Sequence, residues 1–132
     1  MKTAAVLATL VVSAIASPAL ADGDPLKGLQ AFKKCAVCHD AVAEKDKVGP
    51  HLVGVIGRTA GSLESFASKY SKAMKEAGAA GLVWDEKNIA EYVADPKGKI
   101  PGNKMAFAGL KKHDEIEDLI AYLKADPKPT KP

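Results

Sequence analysis

The chain is poor in the residue types on which several common sites are built. It has two cysteines, three histidines and one arginine, Arg58, among 132 residues. A structural zinc site needs four ligands, and His51 and His113 show no paired spacing, so zinc binding is disfavoured. These two histidines are expected to be exposed polar residues. The basic residues are almost all lysines, which suit a weak, salt-sensitive docking surface better than planar bidentate recognition.

Long hydrophobic runs are also scarce. The extended apolar run from Ala4 to Ile15 follows a positively charged start and precedes the small-residue site Ala19-Leu20-Ala21. These features are typical of a secretory signal peptide over residues 1–21, cleaved after Ala21. The run is shorter than the roughly 20 residues that span a bilayer. Since no later segment is apolar enough, stable membrane insertion is not expected.

The remaining residues, 22–132, are expected to form a single domain in the periplasm. Its tail, over about 126–132, is expected to be mobile because it combines prolines and lysines at a chain end. Loss of Lys2 with the signal peptide lowers the formal net charge from +3 to +2. A charge this small argues against nucleic-acid binding.

The two cysteines lie in one short motif, Cys35-Ala36-Val37-Cys38-His39. C-x-x-C-H is the sequence to which a c-type haem is attached. Two thiols one helical turn apart can each form a thioether with a porphyrin vinyl group, and the histidine offers its imidazole to the iron. The motif therefore predicts one covalently attached haem c. A haem-free dithiol redox protein is the alternative, but it would place a strand before the motif, where this chain predicts a helix.

The pattern along the chain predicts helices separated by loops, with no strand. Asp24 before Pro25 is the expected N-cap of a first helix that leads into the motif. A loop is expected from Ala41 to Gly61, and a short helix from Ser68 to Ala77, ended by Gly78 and Gly81.

Two further helices are expected near the end of the chain. Asp85 is the predicted N-cap of one, which stops before Pro96. The last is predicted to begin with a capping box formed by Asp114 and Glu117 and to run to about Lys124. Its apolar residues recur at helical spacing: Ile116, Leu119, Ile120 and Leu123.

The second axial ligand of a histidine-bound haem decides between electron carriage, gas binding and catalysis. Met74 lies in a polar helical stretch, where a methionine is expected to fill space in the packing. Met105 lies in a loop with Pro101 and Gly102, and we favour it as the ligand. Two filled axial positions predict a relatively high-potential electron carrier and not an enzyme. A haem enzyme or gas sensor with a displaceable sixth ligand is the alternative.

Taken together, these motifs resemble a class I cytochrome c, of the bacterial cytochrome c2 type near mitochondrial cytochrome c. The resemblance runs from the helix with Gly28 and Phe32 to the helix with Leu119 and Tyr122. It implies an all-α fold of helices and loops wrapped around one haem. It also implies the site: thioethers at Cys35 and Cys38, axial ligands His39 and Met105, and the carbonyl of Pro50 accepting the His39 ring N–H.

The resemblance further implies the haem surroundings. Arg58, Tyr70, Trp84 and Asn103 fall where the family surrounds the haem propionates, and Tyr92 falls near the methionine sulfur. Asn103 stands where threonine is frequent. The stretch from Tyr70 to Trp84 is somewhat longer than in the shortest members.

The resemblance also gives the lysines a role in docking. A monomer would pass electrons between membrane-bound complexes, from a cytochrome bc-type complex to a photosynthetic reaction centre or a terminal oxidase. A cluster of lysines would surround the exposed haem edge and steer encounters with acidic partner surfaces. These lysines are Lys33, Lys34, Lys97, Lys99, Lys104, Lys111 and Lys112.

Overall fold

The structure, a computed structural model, describes residues 22–131, so the predicted signal peptide and its cleavage site lie outside the described residues. The described chain contains five α-helices and one 3-10 turn, and the all-α prediction is confirmed. They are α1 (Pro25–Phe32), the 3-10 turn (Glu64–Phe66), α2 (Lys72–Ala79), α3 (Glu86–Ala94), α4 (Pro96–Lys99) and α5 (His113–Lys124). Among residues 22–131, β pairing is confined to one antiparallel bridge between Thr59 and Val83.

The central packing of the fold is between α1 and α5. At their crossing, Gly28 lies so close to α5 that a Cβ atom there would be 1.9 Å from the carbonyl oxygen of Asp118. Beside this contact, the rings of Phe32 and Tyr122 pack with 5.2 Å between their centroids. Both rings are buried. Glycine is therefore required at position 28 by the approach of the two backbones.

The start of α1 is capped as predicted. The Asp24 carboxylate accepts a hydrogen bond from the N–H of Leu26 at 2.8 Å, and Pro25 is the first helical residue. The N–H of Asp24 itself donates to Asp118 Oδ1 at 2.7 Å. Because Asp118 belongs to α5, the cap of α1 also joins the two helices.

The predicted start of α2 was wrong, and the helix runs two residues past the predicted Ala77 to Ala79, before Gly81 ends it with a positive φ. The helix begins at Lys72 rather than Ser68, because the Ser71 hydroxyl accepts the Met74 N–H at 3.0 Å and so caps the helix there. Gly78 lies inside α2 and does not end it. A Cβ at Gly78 would be 1.8 Å from the carbonyl oxygen of Ala60, so this glycine permits a close approach to the preceding loop.

The Asp85 cap of α3 is confirmed, since its carboxylate accepts the Asn88 N–H at 2.7 Å. This helix ends at Ala94, before Pro96, as predicted. The short helix α4 was not predicted. It begins at the buried Pro96 and is capped by Asp95, whose carboxylate accepts the Gly98 N–H at 3.0 Å.

The predicted capping box of α5 was wrong. The helix begins at His113 with Lys112 in the N-cap position, and no side chain caps it. The Asp114 carboxylate instead accepts the N–H of Glu115, and Glu117 lies 3.1 Å from the His113 Nε2. The end at Lys124 and the buried apolar face are as predicted. Within residues 22–131, no helix is both long and apolar enough to cross a membrane.

Candidate haem-binding site

The C-x-x-C-H motif follows α1 in a series of tight turns. The N–H of Cys35 donates to the Phe32 carbonyl at 2.7 Å, which continues the direction of the helix. The N–H groups of Cys38 and His39 both donate to the Cys35 carbonyl, at 3.0 and 2.9 Å. Both thiols are free and half-buried, and burial raises the pKa of Cys35. The turn thus places the two thiols and the imidazole on one compact segment.

The imidazole of His39 is held in one tautomer. Its Nδ1 lies 2.7 Å from the carbonyl oxygen of Pro50, which can only accept, so Nδ1 carries the proton. The other nitrogen, Nε2, therefore keeps its lone pair, as a metal ligand requires. Burial lowers the pKa of His39, which further favours the neutral ring. A Cβ at Gly49 would be 2.3 Å from His39 Cε1, so the backbone itself packs against the ring.

One guanidinium group forms hydrogen bonds with two backbone carbonyls of the loop after Pro50. Arg58 donates to the carbonyl of His51 at 2.8 Å and to that of Val53 at 2.7 Å. The His51 N–H donates to the Asp46 carboxylate at 2.9 Å, and hydrogen bonds from Ser65 and His51 lower the pKa of Asp46.

The expectation of an exposed His51 was wrong. The residue is only 6% exposed, because Asp46 and Arg58 fix its backbone on both sides. Its Nδ1 is buried and has no hydrogen-bond partner among the described atoms. His113 is exposed, as predicted.

The three predicted aromatic residues lie in two groups. The Trp84 and Tyr92 rings pack at 4.9 Å between centroids, whereas Tyr70 packs edge-on against Phe66 at 5.0 Å. The Tyr70 hydroxyl accepts the Leu63 N–H at 3.3 Å. Trp84 is buried, and burial raises the pKa of Tyr92 to about 12. The placement of these residues around a haem stays a prediction.

The raised pKa of Tyr92 gives a prediction about alkaline stability. Between about pH 10 and pH 12 the unfolded chain releases the Tyr92 proton while the folded chain retains it, so the free energy of unfolding falls as pH rises. We expect Tyr92→Phe to lose less stability than the wild type across this window. Urea unfolding followed by circular dichroism at about pH 9.5 and about pH 11.5 measures the two losses. Equal losses of stability in the wild type and in the variant would contradict the raised pKa of Tyr92.

Asn103 binds the backbone of the methionine loop. Its side-chain nitrogen donates to the carbonyls of Pro96 and Ile100, at 2.9 and 2.8 Å, and its oxygen accepts the Met105 N–H at 2.8 Å. Both donor hydrogens are therefore used within the protein. The side chain of Met105 is half-buried. This bridge was not predicted from the sequence. Its sign in the sequence is the asparagine two residues before the methionine.

The predicted docking lysines differ in what they contact. Lys34 pairs with Glu115, and Lys99 pairs with Glu91 and donates to Asn88 Oδ1 at 2.9 Å. The Lys111 ammonium donates to two backbone carbonyls. The others are exposed, and their side chains have no hydrogen-bond or ion-pair partner within the described residues: Lys33, Lys97, Lys104 and Lys112.

Comparison with known proteins identifies the family. The cytochrome c family model matches residues 26–125. Cytochrome c2 of Agrobacterium tumefaciens (strain II Chrys) is 53% identical over 104 residues, which cover 77% of this chain and 91% of that protein. Cytochrome c2 of Blastochloris viridis is 47% identical over 120 residues, 90% of each chain. The solved structure of cytochrome c2 from Rhodobacter sphaeroides is 40% identical with a TM-score of 0.71, covering 77% of this chain and 94% of that one.

The chain therefore belongs to the cytochrome c family, as a class I c-type cytochrome that carries electrons. Its cofactor is one covalently bound haem c. The described residues fit this group, since two free thiols one turn apart are followed by an imidazole whose Nε2 lone pair is available. When bound, the haem supplies an iron that gains and loses one electron. Both cysteines of the chain, Cys35 and Cys38, lie in the C-x-x-C-H motif.

Proposed function

We propose that the protein is a periplasmic shuttle that carries single electrons between membrane-bound complexes and is not an enzyme. His39 and Met105 are its axial ligands. The observation that carries the proposal is the His39–Pro50 contact, because it leaves Nε2 as the one ligand nitrogen of the motif. A thioether as the second ligand leaves no free coordination position and favours the ferrous state, which raises the potential.

The environment proposed for the haem is built from the remaining predicted residues. Pro50 orients His39, Tyr92 lies near the Met105 sulfur, and four side chains lie near the propionates: Arg58, Tyr70, Trp84 and Asn103. Arg58 supplies the positive charge of this group. Because its donors already bind two carbonyls, it also holds the surrounding loop in shape.

Docking is proposed to use the surface next to the motif. Two apolar residues of this surface, Val37 and Val48, are each 79% exposed. They lie on adjacent segments, since Lys47 Nζ donates to the Ala36 carbonyl and the Gly49 N–H donates to that of Cys38. The lysines without internal partners supply positive charge that attracts an acidic partner surface. Lys34, Lys99 and Lys111 contribute less, because their ammonium groups are already engaged within the protein.

Charge reversal tests this proposal. We expect the double variant Lys104→Glu with Lys112→Glu to transfer electrons to an acidic membrane partner at least about tenfold more slowly at low salt, with the difference shrinking as salt rises. Stopped-flow absorption of the haem, with purified bc-type complex or reaction centre, measures the rates.

The matched control is Lys27→Glu with Lys75→Glu. These lysines are also exposed and change the net charge equally, but they belong to α1 and α2 and not to the motif or the methionine loop. An equal loss of rate in both double variants would mean that net charge alone acts. An unchanged rate in the first would contradict the docking surface.

A further inference from the structure

Few backbone N–H groups of the loop that carries Met105 form hydrogen bonds. Between residues 104 and 109, the backbone N–H of Met105 is the only one that donates a hydrogen bond to another group of the described chain. Its acceptor is Asn103 Oδ1, at 2.8 Å. The next backbone N–H bond along the chain is from Leu110 to the Val93 carbonyl. The segment between these points has no other backbone N–H anchor.

The Asn103 side chain joins this anchor to the core. Its nitrogen donates to the carbonyls of Pro96 and Ile100, which begin and follow α4. Pro96 is fully buried and Ile100 is 5% exposed. The amide therefore connects the Met105 backbone to two residues that cannot move without disturbing the core. The two bonds to Pro96 and Ile100 must break for the loop to move away together with Asn103, and the bond to Asn103 Oδ1 must break for Met105 to move alone.

We propose that Asn103 is the positioning residue that keeps the Met105 thioether on the haem iron and limits access of outside ligands to it. This rests on the proposed function, in which Met105 is an axial ligand. An outside ligand binds the iron only when Met105 has moved away, so its apparent affinity is the intrinsic affinity multiplied by the open fraction. Opening is local to the loop and does not require the α1–α5 pair to separate.

Imidazole binding to the ferric holoprotein measures the open fraction. We expect Asn103→Ala to bind imidazole about tenfold or more tightly than the wild type, since the loss of three hydrogen bonds favours the open loop. Tenfold corresponds to about 1.4 kcal/mol. The far-red absorption band of methionine-ligated ferric iron is expected to disappear at correspondingly lower imidazole concentration.

A matched control separates positioning from general destabilisation. Asp85→Ala removes the cap of α3 and so lowers the global stability, and Asp85 itself forms no hydrogen bond with residues 96–105. We expect this variant to unfold at lower urea concentration while its imidazole affinity stays at the wild-type value. Should Asn103→Ala fail to assemble with haem, Asn103→Ser keeps a hydroxyl that can accept the Met105 N–H, and its affinity is expected between those of wild type and Met105→Ala.

The outcomes distinguish the two proposals. A wild-type ferric spectrum without the methionine band would overturn ligation by Met105, and with it the proposed function. A wild type with the band, combined with unchanged imidazole affinity in the Asn103 variants, would overturn the positioning role alone. Equal gains in affinity in Asn103→Ala and Asp85→Ala would also overturn it, because global stability would then explain the effect.

Discussion

Met105→Ala is expected to lose the far-red band of the ferric protein and to lower the reduction potential by on the order of 100 mV. The thioether favours the ferrous state, so its removal favours the ferric state, and about 59 mV corresponds to a tenfold change for one electron. The iron would also gain an open position that binds carbon monoxide in the ferrous state. Absorption spectroscopy and a redox titration measure these changes.

Met74→Ala is the matched control, because Met74 is also half-buried but lies in α2, where it packs against the core. We expect it to keep the band and the potential. If Met105→Ala keeps the band, Met105 is not the ligand. If the wild type itself binds carbon monoxide readily, the haem enzyme or gas sensor becomes the better interpretation.

Gly28→Ala is expected to destabilise the protein by about 2 kcal/mol, since overpacking typically costs about 1–3 kcal/mol and occasionally more. Helix propensity alone predicts that the variant is more stable than the wild type, since alanine is favoured over glycine by about 1 kcal/mol inside a helix. The added Cβ would lie 1.9 Å from the Asp118 carbonyl oxygen and 2.6 Å from Tyr122 Cβ. A backbone atom cannot move aside as a side chain can, so α1 and α5 must separate and the overpacking penalty exceeds the gain in propensity.

The midpoint of urea unfolding of the holoprotein measures this effect. Gln30→Ala is the control, because Gln30 lies on the exposed side of the same helix. We expect it to leave the midpoint nearly unchanged. A Gly28→Ala protein as stable as the Gln30→Ala protein would show that the two helices can separate slightly at little cost.

The features that were predictable from sequence are those with local physical causes. Asp24 and Asp85 were identified as caps because a side-chain acceptor directly before a helix satisfies N–H groups two or three residues away. The motif around Cys35 specified its cofactor because thioether chemistry demands that spacing. At α5 the same local reasoning failed, since Asp114 accepts only the adjacent N–H and the helix begins at His113, two residues before the position that an Asp114 cap predicts.

The features that were missed depend on contacts between distant segments. His51 is buried because Asp46 and Arg58 hold its backbone, and no local pattern indicates that arrangement. Gly78 looked like a helix terminator, but its role is to let the Ala60 carbonyl approach. The bridge made by Asn103 was missed because its acceptors become neighbours only when the chain turns after α4.

The pairing of α1 with α5 has a consequence for the order of events as the chain is made. The residues that pair between the two helices are about 90 positions apart in the chain, so their interface closes one of the longest loops the molecule can form. A chain in which the two helices have not yet met leaves the segment from Cys35 to His39 accessible, while Phe32 still lacks its aromatic neighbour. Only the arrival of Tyr122 completes that contact, so the cofactor can be joined to an open polypeptide before the finished globule forms around it.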